Sequence, residues 1–328
     1  MTAPAHPQGL DARSIVTPEE AAVAQGAALD ESSGTVVDPV ARDAGAEPGR
    51  PSRRSQAASL LARSRRPSWT LVLAVIVVVI AVLWAIVPWL FTGYDPIQGV
   101  PAEKLQAPSL AHWFGTDALG RDLFARVVHG AVNSLSGALI AVTVGLAVGT
   151  LIGVLAGSSG GIVDDILMRV VDVLLSIPGL LLMLSVIILL GFGTVNAAIA
   201  VGVVSVASFA RLSRSEVVRV RRSDYVEAAF GSGGTFVAVL WRHVLPNSLT
   251  AVVGLAALQF GTAILAISTL GFLGYGAPPP TPEWGLLIAE GRNYVATAWW
   301  LTTLPGLVVL VVVLSANRIS QSLGRSSR

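Results

Sequence analysis

The segment Tyr225-Val226-Glu227-Ala228-Ala229-Phe230-Gly231-Ser232-Gly233, followed by Arg242-His243-Val244-Leu245-Pro246-Asn247, lies between two long apolar runs. A polar, arginine-rich hairpin in that setting reads as exposed chain joining two membrane spans, and so as a surface built to touch a soluble partner. Ser223 and Asp224 offer capping groups for a short helix over residues 225–230. Gly231, Gly233 and Gly234 then permit a sharp reversal. A second amphipathic segment, residues 236–243, runs back to Pro246, a residue suited to the first turn of the next helix.

Working outward, the composition agrees. Of 328 residues, 53% are hydrophobic and 13% charged, against roughly 25% charged in soluble globular proteins, and the mean hydropathy is +0.70. The chain is solvated mainly by lipid. There is no cysteine, which excludes disulfide and thiol chemistry, and the net charge of +2 gives no nucleic-acid footprint. Residues 1–66 are polar, rich in Pro, Gly, Ala and Ser, and carry no apolar signal-peptide core. They are expected to form a disordered tail, too poor in large apolar side chains to offset ordering entropy. Its end, Arg53-Arg54 and Arg63-Ser64-Arg65-Arg66, reads as a topology signal, with anionic-lipid contact as a further use.

A membrane helix needs about 20 mostly apolar residues. Six segments qualify: 69–91, 133–156, 166–190, 195–212, 247–270 and 299–318. The third and fourth share an uncharged run over residues 173–210, divided at Gly191-Phe192-Gly193-Thr194, and the Gly- and Pro-rich residues 271–282 must leave the fifth helix. The predicted fold class is an all-α polytopic membrane protein. Its parts are the tail 1–66, a first helix with an extracytoplasmic segment over 67–130, a five-helix core over 131–320 carrying the loop 213–246, and a C-terminal tail over 321–328. Lys and Arg favour the cytoplasmic side. Eight arginines precede the first span, and Arg211, Arg214, Arg219, Arg221, Arg222 and Arg242 surround the hairpin, whereas the alternate segments hold Lys104, Arg121, Arg126 and Arg292. Both termini and the hairpin are therefore expected in the cytoplasm. Trp84, Trp89 and Trp299-Trp300 fall at the predicted outer interface.

Within the spans, Gly137, Ala141, Gly145, Gly149, Gly153 and Gly157 recur every four residues. They form a groove of small residues for a close helix neighbour, within the chain or, as a second reading, in a homodimer. Asp165, Arg169 and Asp172 have the spacing to pair on one helix face. Structural ion pairing and a gating or pathway role both remain open for them. Pro178 lacks the N–H that closes a helical turn, so a kink is expected there.

The composite of Glu227-Ala228-Ala229, three residues, Gly233, then Leu245-Pro246, placed after the fourth span, resembles the cytoplasmic coupling loop of ABC-importer permeases. His112-Trp113-Phe114-Gly115-Thr116-Asp117-Ala118-Leu119-Gly120-Arg121-Asp122 is similar to the segment after the first span in the dipeptide, oligopeptide and nickel branch of that family. Residues 277–285, with Trp299-Trp300 and Pro305-Gly306, match the same branch's outer loop and last span. The likeness covers roughly residues 69–320. It departs at Ser232 and His243, where the family has longer apolar residues, and Phe230 is then the apolar anchor beside Glu227.

The resemblance implies a type I importer permease of the bacterial inner membrane, importing di- or oligopeptides, with nickel, haem-like or other small cargo as the alternative. It implies a homologous second permease, one or two cytoplasmic ATPases that hold the ATP and Mg, and an extracytoplasmic substrate-binding protein, with lipid around the spans. It assigns ATPase coupling to Tyr225, Glu227, Ala228, Ala229, Phe230, Gly233, Arg242, Leu245 and Pro246. Ser176, Asn196, Ser205, Ser208, Gln259, Thr262 and Ser268 are polar, uncharged candidates to line the path. Read alone, residues 115–122 are a Gly/Asp turn region, with Asp117, Arg121 and Asp122 available for ion pairs.

No Gly-x4-Gly-Lys-Ser/Thr loop is present to cradle ATP phosphates. The histidines at 6, 112, 129 and 243 show no metal-ligand spacing, and no catalytic nucleophile is evident, so neither a cofactor nor an enzyme activity is expected on this chain. An ion-coupled secondary transporter, the main rival, would place ionisable groups near the bilayer midplane, and the central spans carry none deeper than Asp172. The arginine asymmetry makes a topological prediction. A reporter fused after Ala107 or Thr281 should read outside, and one after Ser223 or Arg328 should read cytoplasm. A cytoplasmic signal at Ala107 would overturn the six-span arrangement.

Overall fold

The computed structural model describes residues 69–326; the expected amino-terminal tail and its basic cluster lie outside the described residues. Among the described residues five helices are long and apolar enough to cross a membrane, up to six spans if a pair bent by 98° is one of them. In order they are α1 (Trp69–Ile86), α2 (Leu123–Ser159), the pair α3 (Gly161–Ser176) and α4 (Gly179–Leu190), α5 (Thr194–Arg221), a long helix over Phe236–Phe272, and α10 (Trp300–Ser326). Short helices α6 (Asp224–Gly231) and α9 (Trp284–Gly291) lie at opposite ends of the bundle. The long helix has three parts: α7 (Phe236–Val239), a π-turn (Leu240–Val244) and α8 (Leu245–Phe272). Among the described residues the only β pairing is the isolated bridge Thr116–Asp122. A helical bundle satisfies every backbone group internally, which hydrocarbon requires.

Several boundaries move from the sequence expectation. The second span begins at Leu123, ten residues before the expected 133, because Asp122 caps it: Ala125 N donates to Asp122 Oδ1 at 2.6 Å. The expected division at residue 130 therefore cuts through α2. The fourth span runs on to Arg221, and α10 continues past the expected boundary at 321 to Ser326. The expected kink at Pro178 is a full break. Ile177 is extended (φ −84°, ψ 129°), as a residue before proline prefers, and α3 meets α4 at 98°.

The tightest packing joins α2 to α5. Gly137, Ala141, Gly145, Gly149, Gly153 and Gly157 are all buried along one stripe of α2. A Cβ on Gly145 would lie 2.7 Å from Ser205 Cβ, and one on Gly149 would lie 2.5 Å from the Val206 carbonyl oxygen and 2.6 Å from Phe209 Cβ. The groove is filled within the chain, so the homodimer reading is not needed to explain it. Lipid tails gain nothing from burying Leu or Ile, so close backbone approach of this kind is what holds membrane helices together. Around the seam, Val127, Ala138, Ile187, Ala197, Phe209, Ile264, Ile267, Trp284 and Val312 form one core. The outer faces of α1, α3 and α4 remain apolar and exposed, as at Leu73, Ile76, Ile166, Leu181 and Leu189.

This seam predicts a steep cost for volume. Gly149→Ala should lower stability by about 1–3 kcal/mol through overpacking, whereas Gly306→Ala, in α10 with nothing within 4 Å of the added carbon, should be neutral or slightly stabilising. Thermal unfolding of the detergent-solubilised protein measures both. Equal midpoints for the two variants would contradict the seam.

Candidate functional site

The hairpin stands on its own small core. Val217 and Val220 at the end of α5, Val226 in α6, and Val239 and Val244 in the return arm are buried together, with Val154 of α2, Ala229 and Leu240 packed against them. Val226, fully buried, is thus the internal anchor of α6. Phe230, expected as the apolar anchor for docking, is 39% exposed. The expected side-chain cap at Ser223 is also not formed. Its hydroxyl donates back to the Val220 carbonyl, and its backbone carbonyl accepts the N–H groups of Val226 and Glu227 at 3.0 and 3.1 Å.

After α6 the chain reverses through Gly233 (φ 85°), whose missing Cβ would face open space. The left-handed conformation, rather than crowding, is what requires glycine there. At Gly234 the reason is contact: a Cβ would lie 2.7 Å from the Ala229 carbonyl oxygen and 2.8 Å from Val239 Cγ2. Pro246 has no N–H for the carbonyl four residues back, and the helix ahead of it widens into the π-turn, where Leu245 N donates to Leu240 O. The return arm and fifth span therefore form one continuous helix, not a loop followed by a span.

Tyr225, Glu227, Ala228 and Phe230 face outward on α6, Ala229 is half-buried, and Arg242 and Pro246 are exposed with Leu245 half-buried. Among the described residues the Glu227 carboxylate makes no ion pair, so it does not clamp an arginine of its own loop. The result is a short helix anchored at its base, with Glu227 exposed between the rings of Tyr225 and Phe230 and Asp224 exposed at its start.

The charges of α3 pair differently from their sequence spacing. Asp172 does not meet Arg169; its Oδ1 accepts from Arg211 of α5 at 2.7 Å. Asp164, not singled out by sequence, takes both ends of Arg214 at 3.1 and 2.6 Å. Asp165 and Arg169 form no ion pair among the described residues. The reason is that α3 lies against α5, and a guanidinium on a facing helix meets a carboxylate better than one on the same helix. A gating role for Asp172 is neither required nor removed by this arrangement.

The path candidates scatter. Ser205 is corrected to a seam residue: it is buried, donates to the Val201 carbonyl at 3.1 Å and packs on Gly145. Ser268 is buried as well. Asn196 is half-buried and donates to the Leu190 carbonyl at 3.0 Å, closing the end of α4; Ser208 is half-buried and Ser176 exposed. Gln259 and exposed Thr262 are hydrogen-bonded to each other at 3.0 Å. What the sequence reading missed is a cavity of about 790 Å³ between α5, α8 and α10, lined by Leu212, Glu216, Arg219, Asn247, Thr250, Gly254 and Gln321 among others. Its signal was present as a stripe of polar and small residues at helical spacing on α8, namely Asn247, Thr250, Ala251 and Gly254, continued by Thr262.

The opposite end is closed by charge. Asp117 Oδ2 accepts from Arg121 Nε at 2.6 Å and from Arg126 at 2.9 Å, and Arg126 also reaches Glu290 of α9 at 2.5 Å. Both arginines are buried. His112 Nδ1 lies 2.8 Å from Asp122 Oδ2. Glu283, fully buried, accepts the N–H groups of Gly285 and Leu286 at 2.9 Å and so caps α9. Burial pushes its carboxyl upward against those hydrogen bonds and one from Ser134. Trp300, expected at the lipid interface, is instead buried, with its Nε1 towards the Thr116 carbonyl. Trp299 stays half exposed.

Residues 149–328 match the family described as "Binding-protein-dependent transport system inner membrane component". The chain is 39% identical over 252 residues to a dipeptide transport system permease protein, DppC, of Alkalihalophilus pseudofirmus, covering 77% of this chain and 83% of that one. It is 38% identical to a probable D,D-dipeptide transport system permease protein, DdpC, of Escherichia coli (76% and 83% covered). It is also 38% identical to a glutathione transport system permease protein, GsiD, of Shigella flexneri (80% and 86%). In structure it is similar to a chain of the MetNI methionine ABC transporter in an inward-facing conformation (TM-score 0.51, 17% identity, 62% of this chain and 96% of that one). A chain of an amino acid ABC transporter gives a TM-score of 0.50 at 15% identity, with 62% and 94% covered.

The charged end carries a pH prediction. Burial raises the Asp117 carboxyl, but the Arg121 N–H, the Arg121 charge, the Leu119 N–H and the Arg126 charge outweigh it, and its pKa falls below the ordinary 3.8. A lowered folded-state pKa means stability that is present above the unfolded value and lost as pH falls through the folded one. Asp117→Asn should therefore destabilise the protein at pH 7 by about 1.5–3 kcal/mol, since Arg121 and Arg126 lose one carboxylate partner and keep Glu290. The gap to the parent should narrow below about pH 4. A pH-independent difference between the two proteins would rule out this linkage.

Proposed function

Because this chain belongs to the family of binding-protein-dependent transport system inner membrane components, and is a multi-pass permease subunit of an ABC importer, we propose that its cargo is di- or short oligopeptides. The three relatives above, named for dipeptides, D,D-dipeptides and glutathione, support small peptides as the class. In this reading a homologous second permease completes the translocation path, an extracytoplasmic binding protein delivers the peptide, and one or two cytoplasmic ATPases carry the ATP and Mg. This chain supplies no catalytic group.

The observation that carries the mechanism is α6. It is a short helix presented at the end of the bundle, anchored inward by Val226, with Tyr225, Glu227, Ala228 and Phe230 left outward and the carboxylate free of any ion pair among the described residues. Such a helix fits a groove on an ATPase: the rings fill apolar hollows, and Glu227 accepts a charge-assisted hydrogen bond from a basic group. Closure of the ATPases then pushes α6, and the valine core below it passes the push to α5 and α8. The cavity lined by Glu216, Arg219, Asn247 and Thr250 is on this reading the cytoplasmic mouth of the path, with Gln259 and Thr262 farther along α8.

The test is reconstitution of the whole complex in vesicles. Glu227→Ala removes a bond of about 1.5–3 kcal/mol, and Gly233→Val places a β-branched residue at φ 85°. Each should reduce peptide uptake roughly tenfold or more, with substrate-stimulated ATP hydrolysis falling alongside, while binding-protein docking persists. If both variants transport and hydrolyse as the parent does, α6 is not the coupling element.

A further inference from the structure

Arg221, the last residue of α5, joins three pieces of the molecule at one point. Its guanidinium donates to the carbonyls of Gly157 at 3.2 Å and Ser158 at 2.5 Å. Those carbonyls belong to the final turn of α2, where no helical N–H remains to satisfy them, and a cation there also complements the negative end of the helix dipole. The same guanidinium lies over the ring of Phe236, its central carbon 5.8 Å from the centroid. Phe236 opens the return arm of the hairpin.

We propose that Arg221 is the positioning residue that makes the hairpin and α2 move as one body; this rests on the coupling reading of α6. The valine core ties the hairpin chiefly to α5, and it meets α2 at Val154 and where Val217 comes against Gly157. Arg221 adds the backbone of α2 itself. Arginine suits the task because its plane can stack on an aromatic ring while its edge donates to carbonyls, which a lysine ammonium cannot do together. The lever it engages is long. The 37 residues of α2 span about 55 Å, and its far end holds the Asp122 cap and the Arg126 contacts to Asp117 and Glu290. A push received beside Phe236 would thus arrive at the outer charge cluster without crossing a loop.

The absence of cysteine allows clean labelling. Spin labels at Val237→Cys and Ser159→Cys, both exposed positions, report the distance from the hairpin to the end of α2 in the reconstituted transporter, without nucleotide and with ATP trapped. In the parent that distance should be narrow and insensitive to nucleotide. In Arg221→Gln it should broaden or shift on ATP trapping. Peptide moved per ATP should fall about three- to tenfold, with complex yield and basal hydrolysis at parent level. Arg221→Lys should be intermediate. Phe236→Leu, which spares the α2 carbonyl bonds, should reproduce part of the defect even if Arg221→Gln fails to assemble, and the double variant should be no worse than Arg221→Gln. Unchanged distances and an unchanged ratio in Arg221→Gln and Phe236→Leu would overturn the proposal. If Glu227→Ala uncouples while these variants do not, the strut alone is wrong; if Glu227→Ala is also silent, the coupling reading has failed with it.

Discussion

The close approach of α2 and α5 is the contact on which the other parts depend. It exists because Gly145, Gly149 and Gly153 present no side chain where Ser205, Phe209, Ala210 and Ser213 come against them. In lipid there is little hydrophobic gain from bringing two helices together, so contact area between backbones takes its place. The seam aligns the ends of both helices. At one end, α5 runs directly into α6 and Arg221 meets the last carbonyls of α2. At the other, Asp122 starts α2 and the loop before it folds over Arg126 and Trp300.

The two ends use charge in opposite ways. At the α9 end, Arg121, Arg126, Asp117 and Asp122 are buried, and each has a partner of opposite charge, His112 serving Asp122 if protonated. Removing one partner of such a set is costly because the other is left desolvated. That end is therefore locked in one arrangement. At the α6 end the arginines are exposed: those of Arg219–Glu216 and Arg214–Asp164 sit over largely buried carboxylates, and in Arg211–Asp172 both side chains are open, 60% and 56% accessible. A pair open on both sides, such as Arg211–Asp172, contributes about 0–1 kcal/mol.

Much of the fold was legible in the chain. Apolar length marked the spans, glycine and proline marked the break at 191–194 and the exit after Phe272, and the hairpin's place between spans followed from the runs around it. The i+4 glycines announced a helix neighbour, and the composite around Glu227 announced the family. These are local or periodic signals, and backbone hydrogen bonding in lipid leaves few alternatives to helix.

Partnership between distant residues was not legible, because spacing along one helix says nothing about which helix faces it. Asp165, Arg169 and Asp172 had the spacing to pair on one helix, yet Asp172 took Arg211 and Asp164 took Arg214, as α3 lies on α5. Ser205 looked like a path residue until packing put it against Gly145. That Val226 would anchor α6 inward was not legible either: the base of the hairpin is a cluster of β-branched side chains that leaves the larger ring of Phe230 outside. The sequence by itself determined a helical membrane bundle with one exposed hairpin. Only the tertiary structure decided which charges neutralise each other, which polar groups are consumed by packing, and that one arginine joins the hairpin to α2, since those depend on distances between segments that are far apart in the chain.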